Sequence, residues 1–248
     1  GIKGIKFVTN QDGLKYDYAV FLKNVVRNDP SPFDDISKAD MSQLLDSAVW
    51  ELINKSKEDL AKGKYMYSES EPIGYRLPQE EVEFCFVRLF GNEVKPLHDD
   101  VFGVGYTFFY DAATKTYTIP ATDNAPIYVP KVHRIDKKGS SIILTVGYSG
   151  YGEWDVNDIG WNIHPDPVKF MKITLRERKT DTEGIPAYYV GALQATDASV
   201  VAVSTIKMPD KTEPETTLIA TTDGTSETGE TDDTGESAET DDATASTD

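Results

Sequence analysis

The sequence predicts an α+β fold in which three N-terminal helices pack on a curved, mostly antiparallel six-stranded sheet. Apolar residues recur at helical spacing in the first 91 residues and alternate as in strands from residue 106 onward. Helices followed by a run of strands are typical of α+β domains and differ from repeated β–α–β units. A folded body of about 200 residues is also large enough for one domain with a sizeable core.

The first two helices are predicted by apolar stripes at a spacing of three and four residues. The first covers residues 14–28 and ends before Pro30, since the residue that precedes a proline disfavours a helix. The second starts at Ser37, where Asp40 resembles the end of a capping box, and stops near Gly63. The stripes are Leu14, Tyr18, Phe21 and Val25 in the first helix, and Met41, Leu44, Leu45, Ala48, Val49, Leu52 and Ile53 in the second.

The third helix, residues 78–91, has the clearest start and stop signals. Pro78 suits the first turn, acidic residues follow where the helix dipole favours anions, and Gly91 provides a left-handed stop. Cys85 lies on the apolar stripe and is predicted to be a small core residue, because a reactive thiol needs exposure and a nearby base. The stripe consists of Val82, Cys85, Phe86, Leu89 and Phe90.

Three antiparallel hairpins supply the six predicted strands. The first covers residues 106–120 and the second covers residues 127–149. Pro130 lies in the first strand of the second hairpin, which predicts that this strand is at a sheet edge or bulged. The third hairpin joins residues 167–178 to residues 186–195.

The charge of the chain divides it into two regions. Residues 212–248 contain 12 of the 42 acidic residues and none of the 25 Lys and Arg, so residues 1–211 have a net charge of only −5. The acidic region is rich in Thr, Ser and Gly and has too few apolar residues to offset the entropy of folding. We therefore expect a single α+β domain over 1–205 and a disordered acidic tail over 206–248. A spacer is the favoured role of this tail, and a polyanionic binding segment is the alternative.

Composition also excludes several classes of partner and of covalent or metal site. No cluster of Lys and Arg offers the positive surface that nucleic acid requires. No apolar run approaches the roughly 20 residues of a membrane-spanning helix. The single cysteine excludes an intramolecular disulfide framework and a cysteine-based zinc site.

A family resemblance is carried by the strings LPQEEVEFCFVRLFG, YDAATKTYTIP, YVPKV, LTVGY and VKFMKITLRER. These strings resemble uncharacterised secreted lipoproteins of Gram-positive gut bacteria over residues 14–195. Helices before a late curved sheet are similar to the cystatin-like roll of nuclear transport factor 2-like domains. The resemblance implies this roll, an extracellular location, and anchoring to the cell surface before processing or truncation. It implies no catalytic residues.

The segment 147–161, GYSGYGEWDVNDIGW, predicts a ligand-binding site. Its aromatic residues Tyr151, Trp154 and Trp161 can stack on the apolar faces of sugars, while neighbouring carboxylates accept hydroxyl protons. Tyr148 and His133 complete the predicted ligand-binding set. In the alternative interpretation, the two tryptophans are packing residues that close the end of the sheet.

The spacing of residues in this segment does not support a calcium loop or a serine-hydrolase elbow. A calcium loop over residues 155–166 fails at Ile159, whose side chain has no oxygen. A serine-hydrolase elbow fails because Gly150 comes one residue too early. We therefore predict no catalytic residue, no metal site and no cofactor. Of the remaining histidines, His98 is expected in a solvated loop and His164 in an extended structural segment.

These observations predict a non-enzymatic extracellular or cell-surface protein that binds an unidentified extracellular partner. A carbohydrate or another cell-wall component is the favoured partner. A roll-type enzyme with an acid/base pocket that includes His133 is one alternative, and a structural spacer module is the other.

Overall fold

The computed structural model of the protein describes residues 11–67, 74–120, 124–151, 155–156, 162–163 and 166–197. It shows the predicted α+β class with a different division of elements. The helices are α1 (Gln11–Val26), α2 (Met41–Lys55), α3 (Lys57–Ala61) and α4 (Gln79–Phe90), with a 3-10 helix at Ile36–Lys38. The strands are β1 (Gly74–Pro78), β2 (Val101–Phe102), β3 (Thr107–Asp111), β4 (Thr116–Pro120), β5 (Tyr128–Lys138), β6 (Ser141–Gly150), β7 (Asp155–Val156), β8 (Asn162–Ile163), β9 (Lys169–Glu177) and β10 (Tyr188–Thr196).

The described strands form two four-stranded antiparallel sheets, so the prediction of one six-stranded sheet is wrong. The first sheet has the order β1–β4–β3–β2, the second has the order β10–β9–β6–β5, and β7 pairs with β8. The division arises because β1 pairs with β4 and joins the β3–β4 hairpin to its own sheet. The hairpins β5–β6 and β9–β10 pair with each other through β6 and β9.

The helices also differ from the predicted set of three at the N-terminus. Strand β1 precedes α4, so the third long helix lies between strands of the chain. The second predicted helix begins at Met41 instead of Ser37, because Asp40 is its N-cap and accepts hydrogen bonds from Ser42 N and Gln43 N. Ser37 belongs to the short 3-10 helix, whose own N-cap is Asp35.

The predicted stripe of α4 is confirmed in full. Val82, Cys85, Phe86, Leu89 and Phe90 are all buried in one continuous core. The helix ends at Gly91, which has φ +79°, a conformation that favours glycine. Local signals therefore located this helix correctly to within one residue at each end.

One hydrophobic core joins the helices to both sheets. Helix α1 lies along β5, α4 contacts β10, and α2 packs against α4 and β2. After α1, Phe33 exchanges two backbone hydrogen bonds with Leu193 and covers part of the β10 edge. This arrangement leaves the ends of α1 and α2 beside β1, where the candidate site lies.

Every described residue belongs to the first of the two units into which the chain divides, Gly1–Thr205. The predicted acidic tail over 206–248 lies outside the described residues, and its disorder stays a prediction. Among the described helices, none combines the length and apolar character needed to cross a membrane.

Candidate binding cleft

A cleft of about 650 Å³ lies between α1, α2, α3, β1 and the segment before β5. This volume lies within the range of about 300–1,000 Å³ that is usual for small-ligand pockets. Its lining combines cationic, amide and aromatic side chains over an apolar base. The described lining residues are Lys23, Arg27, Trp50, Ile53, Asn54, Lys57, Leu60, Ala61, Tyr75, Asn124, Ala125, Pro126 and Tyr151.

The charge of the described lining is entirely positive. Lys23, Arg27 and Lys57 contribute to it, and none of the described lining residues is acidic. This balance is the opposite of that of the whole chain, whose net charge is −17. A cleft of this kind favours an anionic or hydroxyl-rich ligand over a cationic one.

Arg27 forms a buried wall of the cleft. It is only 6% exposed, and its guanidinium carbon lies 3.7 Å from the centroid of the Trp50 ring. One guanidinium nitrogen donates a hydrogen bond to the backbone oxygen of Asn124. This contact connects the end of α1 to the segment that forms the opposite rim. A stacked, hydrogen-bonded guanidinium is held in one orientation, which fixes the shape of this wall.

Beneath Arg27, a partly buried hydrogen-bond network holds Trp50 in place. The Tyr106 hydroxyl accepts hydrogen bonds of 2.7 Å from Trp50 Nε1 and from Asn28 Nδ2, and donates one of 2.7 Å to Asp46 Oδ1. Burial raises the pKa of the Asp46 carboxyl, although these hydrogen bonds and the Arg27 charge oppose the rise. Asp46 therefore points its carboxylate at internal donors instead of the cleft.

A second buried network fixes the amide side of the cleft. Asn54 Nδ2 donates to Asn24 Oδ1 at 2.7 Å, and Asn24 Nδ2 donates to Glu51 Oε2 at 2.6 Å. Arg88 Nε completes the network with a 2.9 Å ion pair to Glu51 Oε1. The Glu51 charge is thus compensated inside the protein. These hydrogen bonds fix the orientation of the Asn54 side chain at the cleft wall. No acidic residue belongs to the described lining beside it.

Of the predicted ligand-binding residues, Tyr151 lines this cleft. It follows strand β6 directly and is 49% exposed, with its backbone N–H donating to Ile127 O at 3.2 Å. Trp154 and Trp161, the other two aromatic residues of the predicted platform, lie outside the described residues. The calcium-like positions and His164 fall largely in the same undescribed region. The cleft therefore contains one described member of the predicted set.

Tyr148 lies in the core instead of the cleft. It has no exposed surface, and its ring packs against Tyr128 with a centroid distance of 5.7 Å. Lys169 Nζ lies 5.2 Å from the centroid of the Tyr148 ring and forms an ion pair with Asp29. Burial raises the pKa of the Tyr148 hydroxyl. In this arrangement Tyr148 stabilises the packing of β6 and offers no surface to a ligand.

His133 lies at a β-bulge on the outer face of the second sheet. Strand β5 is an edge strand whose register with β6 shifts between Val132 and Arg134, which confirms the prediction drawn from Pro130. The His133 ring is half-buried and makes an edge contact with Phe170, with 5.2 Å between centroids. A Cβ at Gly147 would lie 2.7 Å from His133 Nε2, so the His133 ring occupies the space that a side chain at residue 147 would need. His133 does not line the cleft.

His98 lies in the loop after α4, as predicted, but the prediction that this side chain is solvated is wrong. Its side chain is only 6% exposed, with Nδ1 2.7 Å from the Tyr117 hydroxyl and Nε2 2.9 Å from Glu83 Oε1. Partial burial alone would raise the pKa of Glu83, but hydrogen bonds from Gln79 and His98 outweigh it and lower the pKa. His98 therefore links α4 to β4, and its partners are too distant in the sequence to be recognised from spacing.

Most residues of the cleft were missed by the sequence reading. Lys23 and Arg27 stand four residues apart at the end of α1, a spacing that places both on one side of a helix. That spacing is a weak signal, since lysines and arginines on helices usually face solvent. Within the described ranges, no three His, Cys, Asp or Glu side chains form a group able to hold a metal ion. No protein-family model matches the chain, and searches of curated proteins and of solved structures find no significant match.

Proposed function

We propose that the protein is a non-enzymatic binding protein of the extracellular space or cell surface, and that it binds a saccharide in the cleft. The observation that carries this proposal is the lining itself. An exposed aromatic ring at Tyr151 stands in one cavity with the half-buried Tyr75 and with the amides of Asn54 and Asn124.

Saccharides suit this lining because each ring has an apolar face and a rim of hydroxyl groups. The apolar face packs on aromatic side chains, and the hydroxyls exchange hydrogen bonds with amides and cationic donors. Trp50 is not itself a stacking surface, since it is buried and Arg27 covers its ring. The accessible aromatic surface is therefore that of Tyr151, with Tyr75 beside it.

The extracellular location rests on the sequence. The Thr- and Ser-rich acidic segment 212–248 suits a spacer outside the cell, and the resemblance to secreted lipoproteins supports the same location. The cystatin-like roll is part of the same proposal. It is supported by helices α1 and α4, which pack against the antiparallel sheet β10–β9–β6–β5.

A glycan array tests the proposed function. We expect the wild-type protein to bind a limited set of glycans and the variant Tyr151→Ala to lose most of this signal. Tyr16→Ala is the matched control, because Tyr16 is 70% exposed on α1 and does not line the cleft. Wild-type protein that binds no glycan would contradict a saccharide ligand. Glycan binding that Tyr151→Ala leaves unchanged would place the site elsewhere.

A further inference from the structure

We propose that the saccharide carries an anionic substituent, a carboxylate, sulfate or phosphate, which binds between Lys23 and Lys57 in the cleft. This inference rests on the proposed function and specifies the chemical class of its ligand. It follows from three features of the described residues: the presence of both lysines in one cleft, the placement of two acidic residues of α2, and the position of Arg27.

Lys23 and Lys57 are exposed lysines that form no ion pair with any described residue. Other described lysines do form such pairs, as Lys38 does with Asp34 at 3.5 Å and Lys64 does with Asp59 at 3.6 Å. Most described lysines form no such pair, so what sets these two apart is that they share one cavity whose described lining contains no carboxylate, in a chain with 42 acidic residues and 25 basic ones. Within the described lining, no carboxylate competes with a ligand for these two charges.

Two acidic residues of α2, the helix that lines one side of the cleft, are held by donors inside the protein. Glu51 is held by Arg88 and Asn24, and Asp46 is held by Asn28 and Tyr106. Both carboxylates are buried, and each has internal donors that compensate its charge. Neither carboxylate belongs to the described lining of the cleft, and Glu51 borders Lys23 only in an adjoining pocket.

Arg27 adds a third cationic group to the wall, and part of its charge acts on the buried Asp46 carboxyl. Its guanidinium is buried against Trp50, where electrostatic interactions are less screened than in water. Lysine ammonium groups act as compact point charges and do not demand one anion geometry. Carboxylate, sulfate and phosphate therefore share the same recognition chemistry at this site, and only binding data separate them.

Calorimetric titration with matched probes tests the inference. The probes are a uronic-acid oligosaccharide, its neutral methyl ester, and sulfated and phosphorylated oligosaccharides of the same length. We expect at least one anionic probe to bind about tenfold more tightly than the ester. Lys23→Gln and Lys57→Gln should each weaken the binding of that anionic probe by about three- to tenfold and leave the affinity for the ester unchanged.

Lys15→Gln is the matched control, because Lys15 lies on α1 and does not line the cleft. The inference is overturned if the ester binds as tightly as every anionic probe. It is also overturned if the lysine variants weaken the binding of the ester and of the anionic probes equally. Ester binding that depends on Tyr151 would then leave the proposed function intact. Absence of binding by all probes and by the glycan array would overturn both proposals.

Discussion

The guanidinium of Arg27 stacks on the ring of Trp50, with 3.7 Å between the guanidinium carbon and the ring centroid. The two residues come from different helical segments, the end of α1 and the body of α2. The other side of the contact is anchored by the hydrogen bond from Trp50 Nε1 to the Tyr106 hydroxyl. A cation is thus held in a buried wall of the cleft by an aromatic ring and a backbone oxygen, and this gives the cleft its rigid positive side.

Replacing Trp50 by Leu removes the cation–π contact and the indole donor together. We expect a loss of about 3–5 kcal/mol in the free energy of unfolding, because a large buried aromatic is truncated and Arg27 loses its partner. Urea denaturation measures the change. Phe109→Leu is the control, since Phe109 is 56% exposed, and it should change stability by less than about 0.5 kcal/mol. Equal effects of the two substitutions would contradict a structural role for the contact.

Replacing Tyr106 by Phe should produce a pH-dependent loss of stability. Burial raises the pKa of Asp46 in the folded state, so ionisation of Asp46 lowers stability as pH rises through that pKa. The Tyr106 hydroxyl opposes this effect by donating to the carboxylate. We expect a loss of about 2–3 kcal/mol at pH 7 and a smaller loss near pH 4, where a larger fraction of Asp46 is protonated.

Chemical denaturation at the two pH values measures this difference. Tyr16→Phe is the control, because Tyr16 is exposed and its hydroxyl should contribute little at either pH. A Tyr106→Phe loss that is the same at pH 4 and pH 7 would mean that the hydroxyl does not support the ionised carboxyl of Asp46.

Replacing Glu83 by Gln should also reduce stability more at the higher pH, although the pKa of this carboxyl is lowered and that of Asp46 is raised. Hydrogen bonds lower the pKa of Glu83 in the folded state below the ordinary value of 4.5, so its ionised form stabilises the protein above that pH. This contribution is lost as pH falls through the lowered pKa. We expect Glu83→Gln to reduce stability by about 1 kcal/mol at pH 6 and by less near pH 3.5.

The control for this variant is Glu80→Gln, in the same helix turn but exposed. Its effect should be close to zero at both pH values. If Glu80→Gln and Glu83→Gln behave alike, the bond between Glu83 and His98 does not contribute to stability.

The thiol of Cys85 should be inert in the folded protein. Burial raises its pKa to about 12, and the side chain is in the core. A thiol of that pKa is ionised to only about one part in ten thousand at pH 8, so a thiolate-specific reagent should react only on unfolding. Labelling with and without denaturant measures this difference. Rapid labelling of the native protein would show that the core opens around α4.

The fold was predictable wherever the signal is local. The start, stripe and stop of α4 all lie within 14 residues, and the hairpins β3–β4, β5–β6 and β9–β10 each pair neighbouring segments. The assignment of hairpins to sheets was not predictable in this way. It depends on the pairing of β1 with β4, and β1 is a five-residue strand that ends in Pro78, which reads as the start of a helix.

The cleft was predictable only at Tyr151. Aromatic residues among glycines are a visible signal, whereas Lys23 and Lys57 look like ordinary solvated charges on helices. What distinguishes these lysines is the set of distant residues that surround them, such as Tyr75 and Asn124. His98 was misjudged for the same reason, since Glu83 and Tyr117 stand 15 and 19 residues away along the chain.

A crystal structure of the protein with the tightest-binding saccharide of the array would locate the binding site. We expect a sugar ring against Tyr151 in the cleft of about 650 Å³, with its anionic group beside Lys23 and Lys57. A saccharide bound on another surface, such as the outer face of the second sheet near His133, with the cleft empty, would contradict this expectation.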